Sequence, residues 1–184
     1  MKIILIGIQG SGKSTQGSLL SKKFDIPYLS TGQIFRVLAG EKTELGNYIK
    51  QVMNQGYLIP DDKTIKIVNE YLKRPEYIKK GYILDGFPRT IIQATTFSEN
   101  IDYVIYLRVS DREALFRIAH RNEKAREDET EEAIKKRIES FHKFTEPVLN
   151  FYRDKNILIE VDGEKTVEEI HQEIFGKIKQ SNDK

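Results

Sequence analysis

Nine residues, Gly7-Ile8-Gln9-Gly10-Ser11-Gly12-Lys13-Ser14-Thr15, satisfy the spacing G-x-x-x-x-G-K-S/T in full. The chemistry that this spacing serves is the holding of a polyphosphate. Glycines let successive backbone N–H groups turn inward on an anion, the following helix adds its positive end, and Lys13 brings a mobile cation to the outer phosphates. Gly10, Ser11, Gly12, Lys13, Ser14 and Thr15 are therefore the candidate phosphate ligands. The bland alternative is a Gly-rich strand-to-helix turn. It is the weaker reading, because an apolar run precedes the loop and an amphipathic stretch from Ser14 to Phe24 follows it. A dinucleotide fingerprint G-x-G-x-x-G is not met: Thr15 stands where the third Gly would be, and no acid follows Leu29-Ser30 to bind a ribose. A nucleoside triphosphate is expected rather than NAD.

Three further junctions combine unusual residues where a strand should hand over to a helix. Ser30-Thr31-Gly32-Gln33-Ile34-Phe35-Arg36 offers a helix cap with Arg36 one turn on. Asp85-Gly86-Phe87-Pro88-Arg89 offers a carboxylate, a Gly that permits close approach, and an Arg opening the next helix. Asp162-Gly163 follows the last apolar run. Taken singly these are a cap, a turn and a helix start. Taken together they bring two arginines and an aspartate to the sheet edge that carries the phosphate loop. Arg117 and Arg121 are four apart and share a helix face, and the polar stretch from Asn122 to Glu127 has the composition of a mobile flap. The three His show no pairing with an acid or with one another at ligand spacing, and are expected at the surface or in packing.

Apolar runs from Ile3 to Ile6, Pro27 to Leu29, Tyr82 to Leu84, Tyr103 to Arg108 and Ile157 to Val161 alternate with amphipathic segments. That alternation predicts an α/β fold: a five-stranded parallel sheet with helices on both faces, doubly wound, whose ligands bind beyond the carboxyl ends of the strands. A capping box from Asp128 to Glu131 predicts a helix start, with Glu131–Lys135 and Glu132–Lys136 supporting it and Pro147 kinking or breaking its continuation. With 184 residues the chain is expected to form one domain, 1–184. Lys plus Arg exceed Asp plus Glu by 30 − 28 = 2, which argues against a nucleic-acid-coating protein. There is no Cys, so disulfides, iron–sulfur clusters, a thiol nucleophile and a cysteine zinc site are excluded. The six-residue apolar run near the start is too short for a secretory core, and no stretch approaches a membrane span, so a cytoplasmic location without membrane contact is expected.

Together these residues resemble the adenylate kinases and the wider nucleoside monophosphate kinases. The resemblance runs from Ile4 to about Ile178 and is carried by Gly7 to Gln16, Leu29 to Arg36, Gly56-Tyr57-Leu58-Ile59-Pro60-Asp61, Gly81 to Gln93, and Arg126 to Glu129 with Lys136-Arg137. It implies a P-loop kinase fold and transfer of a phosphoryl group from MgATP to AMP, giving two ADP, in a protein taken as a monomer. It further implies that the phosphate loop, Arg121 and Lys165 serve ATP. Thr31, Arg36, the backbone of Tyr57, Leu58 and Ile59, the run Gly86, Phe87, Pro88 and Arg89, and Gln93, Arg126 and Arg137 would serve AMP. Lys13, Arg89, Arg121, Arg126 and Arg137 would act in catalysis. Mg²⁺ would be held mainly by phosphates and water, with Asp85 nearby and no zinc. Segments 30–59 and 121–131 would be mobile subregions, the second a lid of the short form, since only four residues separate Arg121 from Arg126.

Four positions depart from the family's usual pattern: Gln9, Ser14, Gln33 and Glu129. Ser14 fits the general phosphate-loop spacing, whereas Gln33 removes a carboxylate and is expected to weaken magnesium binding. Two alternatives stand beside this reading. A UMP/CMP kinase is disfavoured by Thr31 and Gln93. A nucleotide-binding switch is disfavoured by the set of arginines and, for guanine, by the lack of an N-K-x-D motif.

Overall fold

The computed structural model describes residues 1–120 and 130–182. The elements run β1 (Lys2–Ile6), α1 (Lys13–Phe24), β2 (Tyr28–Ser30), α2 (Thr31–Ala39), α3 (Glu44–Asn54), α4 (Asp61–Leu72), α5 (Pro75–Lys80), β3 (Tyr82–Asp85) and α6 (Ile91–Thr96). They continue with β4 (Tyr103–Arg108), α7 (Asp111–Ala119), α8 (Glu131–Ser140), α9 (Glu146–Asp154), β5 (Leu158–Asp162) and α10 (Val167–Asn182). The five strands form one parallel sheet in the order β2-β3-β1-β4-β5. The chain leaves β1 toward β2 on one side and later returns past it to β4 on the other. The carboxyl end of β1 is thus a topological switch point, where such sheets open a crevice.

Helices cover both faces, so the strands are apolar on both. Ile3 and Leu5 of β1, with Ile83, Ile105 and Leu107, pack on Leu20 of α1 and on Ile170, Ile174 and Ile178 of α10. Ile4 and Ile6, with Leu84 and Val104, face Val68 and Leu72 of α4, Phe97 after α6, and Val148 and Tyr152 of α9. A satellite cluster of Ile49, Met53 and Ile59 against Phe35 and Leu38 holds α2 and α3 to each other, beside the main core. Register aligns Ser30 with Asp85 and Asp85 with Leu5, which sets three strand ends side by side.

Each strand predicted from sequence is present, displaced by at most one residue at either end. Three local expectations need correction. The cap of α8 is Thr130, whose hydroxyl accepts from Ala133 N at 3.1 Å; Asp128, the expected cap, lies outside the described residues. Glu131 pairs with Lys135 at 2.6 Å as expected, but Lys136 turns to Glu139 at 3.4 Å rather than to Glu132. Pro147 breaks the α-helical pattern without ending the helix: the α-helical ladder gives way to a π-helical turn, Phe141–Thr145, where Glu146 N–H bonds the Phe141 carbonyl, and α9 resumes around the proline, which has no N–H to offer the preceding turn.

Candidate functional site

At the carboxyl end of β1 the loop from Gly7 turns into α1 through Gly12, which is left-handed at φ 89° and supplies no side-chain cap. The first N–H groups of α1 are therefore left pointing into the crevice, as an anion requires. Gly10 is likewise left-handed, and a Cβ there would lie 2.6 Å from the Ala114 carbonyl of α7. The loop is thus pressed between α1 and α7. Lys13 crosses it, donating from Nζ to the carbonyls of Gly7 and Ile8, both at 2.7 Å, and to Ser11 Oγ at 3.3 Å. Ser11 is fully buried, while Ser14 and Thr15 are exposed on the first turn of α1.

This loop forms one end of a cleft of about 820 Å³. Gly10 through Thr15, Arg36, Tyr57, Leu58, Ile59, Gly86, Pro88, Arg89, Gln93, Arg137 and Lys165 all line it, as does Asp85. Six cations face the cleft among the described residues (Lys13, Arg36, Arg89, Arg117, Arg137, Lys165), against the single carboxylate of Asp85. Glu113 and Glu173, which do not line the cleft, pair with Arg117 and Lys165; the positive excess among the rest favours an anion in the cleft. Arg89 lies among these charges. Burial pushes the Arg89 guanidinium below its ordinary value; Asp85 opposes this, and Arg137 and Arg36 add to it by like-charge repulsion. Arginine stays protonated at neutral pH even so. Arg89 is held by Nε donating to the Gly86 carbonyl at 2.8 Å and by its own carbonyl accepting from Thr145 Oγ1 at 2.9 Å. Arg137 spans the cleft, donating to the Met53 carbonyl at 3.1 Å and to Gln9 Oε1 at 3.4 Å.

Two of the expected residues are elsewhere. Phe87 turns its ring into the core, edge-on to Phe97 at 5.0 Å between centroids, and only its neighbours Gly86 and Pro88 face the cleft. Thr31 is buried behind the wall, its hydroxyl donating to the Asp85 carbonyl at 3.1 Å; a Cβ on Gly86 would lie 2.6 Å from that hydroxyl. Arg121 and Arg126 lie outside the described residues, as do the polar stretch between them and Glu129. Arg89 does not open α6: Thr90 caps it, and the helix begins at Ile91.

Several cleft residues went unassigned at the sequence level. Tyr28 donates to Asp85 Oδ2 at 2.6 Å, which leaves Asp85 Oδ1 buried with no hydrogen-bond partner. Gln16, buried on α1, donates to the Val167 carbonyl at 2.8 Å and so ties the 165–167 turn to the phosphate-loop helix. Arg117 pairs with Glu113 at 2.6 Å and donates to the Gly163 carbonyl at 2.8 Å, holding the same turn from α7. Lys165, which the resemblance put on the ATP side, meets Glu173 at 2.8 Å, a contact that raises its pKa. The helical spacing of Arg117 and Arg121 was the one available signal; nothing in the spacing of Tyr28 or Gln16 marks them.

The orphaned oxygen of Asp85 tests the fit of a metal ion. One partly desolvated carboxylate beside a phosphate loop suits a magnesium ion carried by phosphates and water. Among the described residues no group of three or more His, Cys, Asp or Glu could form a protein cage. Outside the cleft, His142 corrects an expectation: it contacts Asp111 at 2.9 Å and Glu146 at 3.1 Å, a surface cluster joining the start of α7 to the start of α9.

Comparison with known proteins agrees with this geometry. The family model described as "Adenylate kinase" matches residues 5–157. An adenylate kinase of Clostridium novyi (strain NT) is 35% identical, covering 97% of this chain and 98% of its own length. One from Fusobacterium nucleatum is 37% identical, with 95% and 97% covered, and one from Streptomyces avermitilis 32% identical, with 99% of both covered. The alignment with the first extends over 213 positions against 184 residues here, so that relative carries residues with no counterpart in this chain. With most of the sequence matched by the family model and relatives aligned almost end to end, the chain belongs to the adenylate kinase family.

Proposed function

We infer that the chain is an enzyme that transfers a phosphoryl group reversibly from MgATP to AMP, giving two ADP, and so balances and salvages adenine nucleotides. The observation that carries this reading is the single cleft in which a complete phosphate loop faces Arg36, Arg89 and Arg137. One loop suits one polyphosphate, and the arginines opposite suit a second phosphate brought against it.

The attacking oxygen belongs to the AMP phosphate and is already ionised at pH 7, so no general base is needed. In-line attack forms the bond from that oxygen to the γ-phosphorus as the bond to the bridging β,γ-oxygen breaks. Positioning and charge neutralisation carry the catalysis. Lys13 exchanges the Gly7 and Ile8 carbonyls for phosphate oxygens. Arg89 and Arg137, fixed by backbone carbonyls, stabilise the transferred group, and Arg36 holds the AMP phosphate. Gly10, Ser11, Gly12, Ser14 and Thr15 serve the ATP phosphates with Lys13, and Lys165 its base side. Tyr57, Leu58, Ile59, Gly86, Pro88 and Gln93 serve AMP, with Thr31 and Phe87 shaping that wall from behind. Asp85 would hold the water shell of a Mg²⁺ carried by ATP, which would offset the charge of the phosphates.

Segment 30–59 is proposed as the AMP-side subregion and 121–131, with Arg121 and Arg126, as a short lid. The residues that the longer relative carries are placed by this reading in that lid. A cytoplasmic monomer fits a chain without Cys whose proposed site is drawn from one copy of itself. A coupled assay with ATP and each of AMP, UMP, CMP and GMP tests the assignment: ADP forms with AMP and not appreciably with the others. Preference for a pyrimidine would move it to the UMP/CMP kinases, and absence of transfer to any acceptor would leave only a binding protein.

A further inference from the structure

Asp61 opens α4, directly after the Leu58–Ile59 wall of the cleft. Its Oδ1 accepts two hydrogen bonds from α6 and its cap, from Gln93 Nε2 at 2.8 Å and from Thr90 Oγ1 at 2.9 Å. Gln93 Oε1 accepts in turn from Arg89 N at 2.7 Å, and Gln93 N donates to Thr90 Oγ1 at 3.1 Å. Gln93 is only 2% exposed, and it lines the cleft. An ionised carboxylate only accepts and a backbone N–H only donates, so the two ends of the Gln93 amide are not interchangeable. Turning it over would set its oxygen against the carboxylate and its NH₂ against Arg89 N–H, replacing two buried hydrogen bonds with two mismatches.

Resting on the reading of AMP as acceptor, we propose that Asp61 is a positioning residue that locks Gln93 in one amide orientation and so makes the acceptor site select 6-amino over 6-oxo purines. An amide offers two N–H groups and two lone pairs on its oxygen. With one of each engaged by Asp61 and Arg89, one N–H and one lone pair remain for a base. Adenine sets an amino donor beside a ring-nitrogen acceptor and meets that pair in one order. Hypoxanthine sets a carbonyl acceptor beside an N–H donor and needs the same amide turned over. A freely turning glutamine serves both bases; one held by Asp61 and the Arg89 N–H serves the first, and loss of Asp61 removes one of these two holds.

The test measures kcat and KM with ATP and either AMP or IMP for the wild type, Asp61→Ala, Asp61→Asn, Gln93→Ala and the Asp61→Ala/Gln93→Ala double variant, with thermal melting alongside. Asp61→Ala is expected to lower the AMP-over-IMP preference in kcat/KM about tenfold, the scale of one hydrogen bond to a charged group, mainly through KM. Asp61→Asn, which keeps an acceptor, lowers it less. In the Gln93→Ala background the Asp61 substitution produces no further loss of preference. An unchanged preference in Asp61→Ala, or in Asp61→Asn should the alanine variant not fold, overturns the proposal. So does an equal loss with Gln93 already removed. Failure of the wild type to use AMP overturns the functional reading itself and this proposal with it.

Discussion

Arg89 concentrates the chemistry of the cleft in one side chain. Its Nε is spent on the Gly86 carbonyl, which aims the remaining guanidinium N–H groups, and its pKa is lowered because burial and two neighbouring arginines surround it with too little compensating charge. In the proposed function a phosphoryl group supplies that charge. Arg89→Ala is therefore expected to lower kcat by roughly 10³-fold while melting stays near that of the wild type, and Arg89→Lys does not restore it, since a point cation cannot keep the Nε contact. Near wild-type turnover in steady-state assays of either variant would contradict this role. At this scale the sequence was legible where a residue type has one use. Lys13 in its Gly-rich loop and Arg89 after Asp85-Gly86 announce themselves, and both line the cleft. Phe87 and Thr31 could not be placed, because side-chain direction at a strand end depends on packing partners such as Phe97 that spacing does not reveal. Asp61 reads as a helix-opening acid until its bonds to α6 are seen.

Among the elements, the turn from β1 into α1 distinguishes two glycines that the loop pattern leaves alike. Both are left-handed, but a Cβ on Gly12 meets nothing within 4 Å, whereas one on Gly10 meets the Ala114 carbonyl at 2.6 Å. Gly12→Ala is expected to cost about 1–2 kcal/mol, the backbone penalty alone. Gly10→Ala costs more, because α7 must also give way; equal unfolding midpoints in denaturant would show that the contact with α7 is soft. The His142 cluster joins α7 to α9 across the π-helical turn. Hydrogen bonding to Asp111 raises the His142 pKa first, Glu146 adds to it, and partial burial works against both. A raised pKa means that the contribution is complete below the unfolded value of about 6.5 and is lost as pH climbs through the folded one. The imidazole is 45% exposed, so the contribution is discounted to about 0.5 kcal/mol. His142→Gln is expected to be less stable than the wild type by that amount at pH 6 and equal to it by pH 9 in urea titrations. Strands were legible because parallel pairing demands short apolar runs. The start of α8 was displaced because Asp128 and Thr130 are both competent caps, and only the geometry selects Thr130.

For the whole molecule, a net charge of +2 conceals a separation. Six cations line the cleft beside one lining carboxylate, with Glu113 and Glu173 pairing two of them from outside the lining, while acids such as Glu131, Glu139, Glu146 and Glu160 sit on outer surfaces, paired with Lys, Arg or His. Fold class was readable from alternation alone, and so was the approach of Arg36 and Arg89 to the phosphate loop, since both follow strand ends; Arg137 of α8 follows no strand, and only the resemblance put it with them in the cleft. The proposed function requires direct transfer of the phosphoryl group between two nucleotides held in one cleft. It is tested most directly by following the label of γ-³²P-ATP in a rapid-quench experiment with AMP. Label leaving ATP is expected to appear first at the β-position of ADP made from AMP, with one unlabelled ADP formed for each labelled one. Label released as inorganic phosphate, or an ATP pool unchanged by AMP, would contradict it.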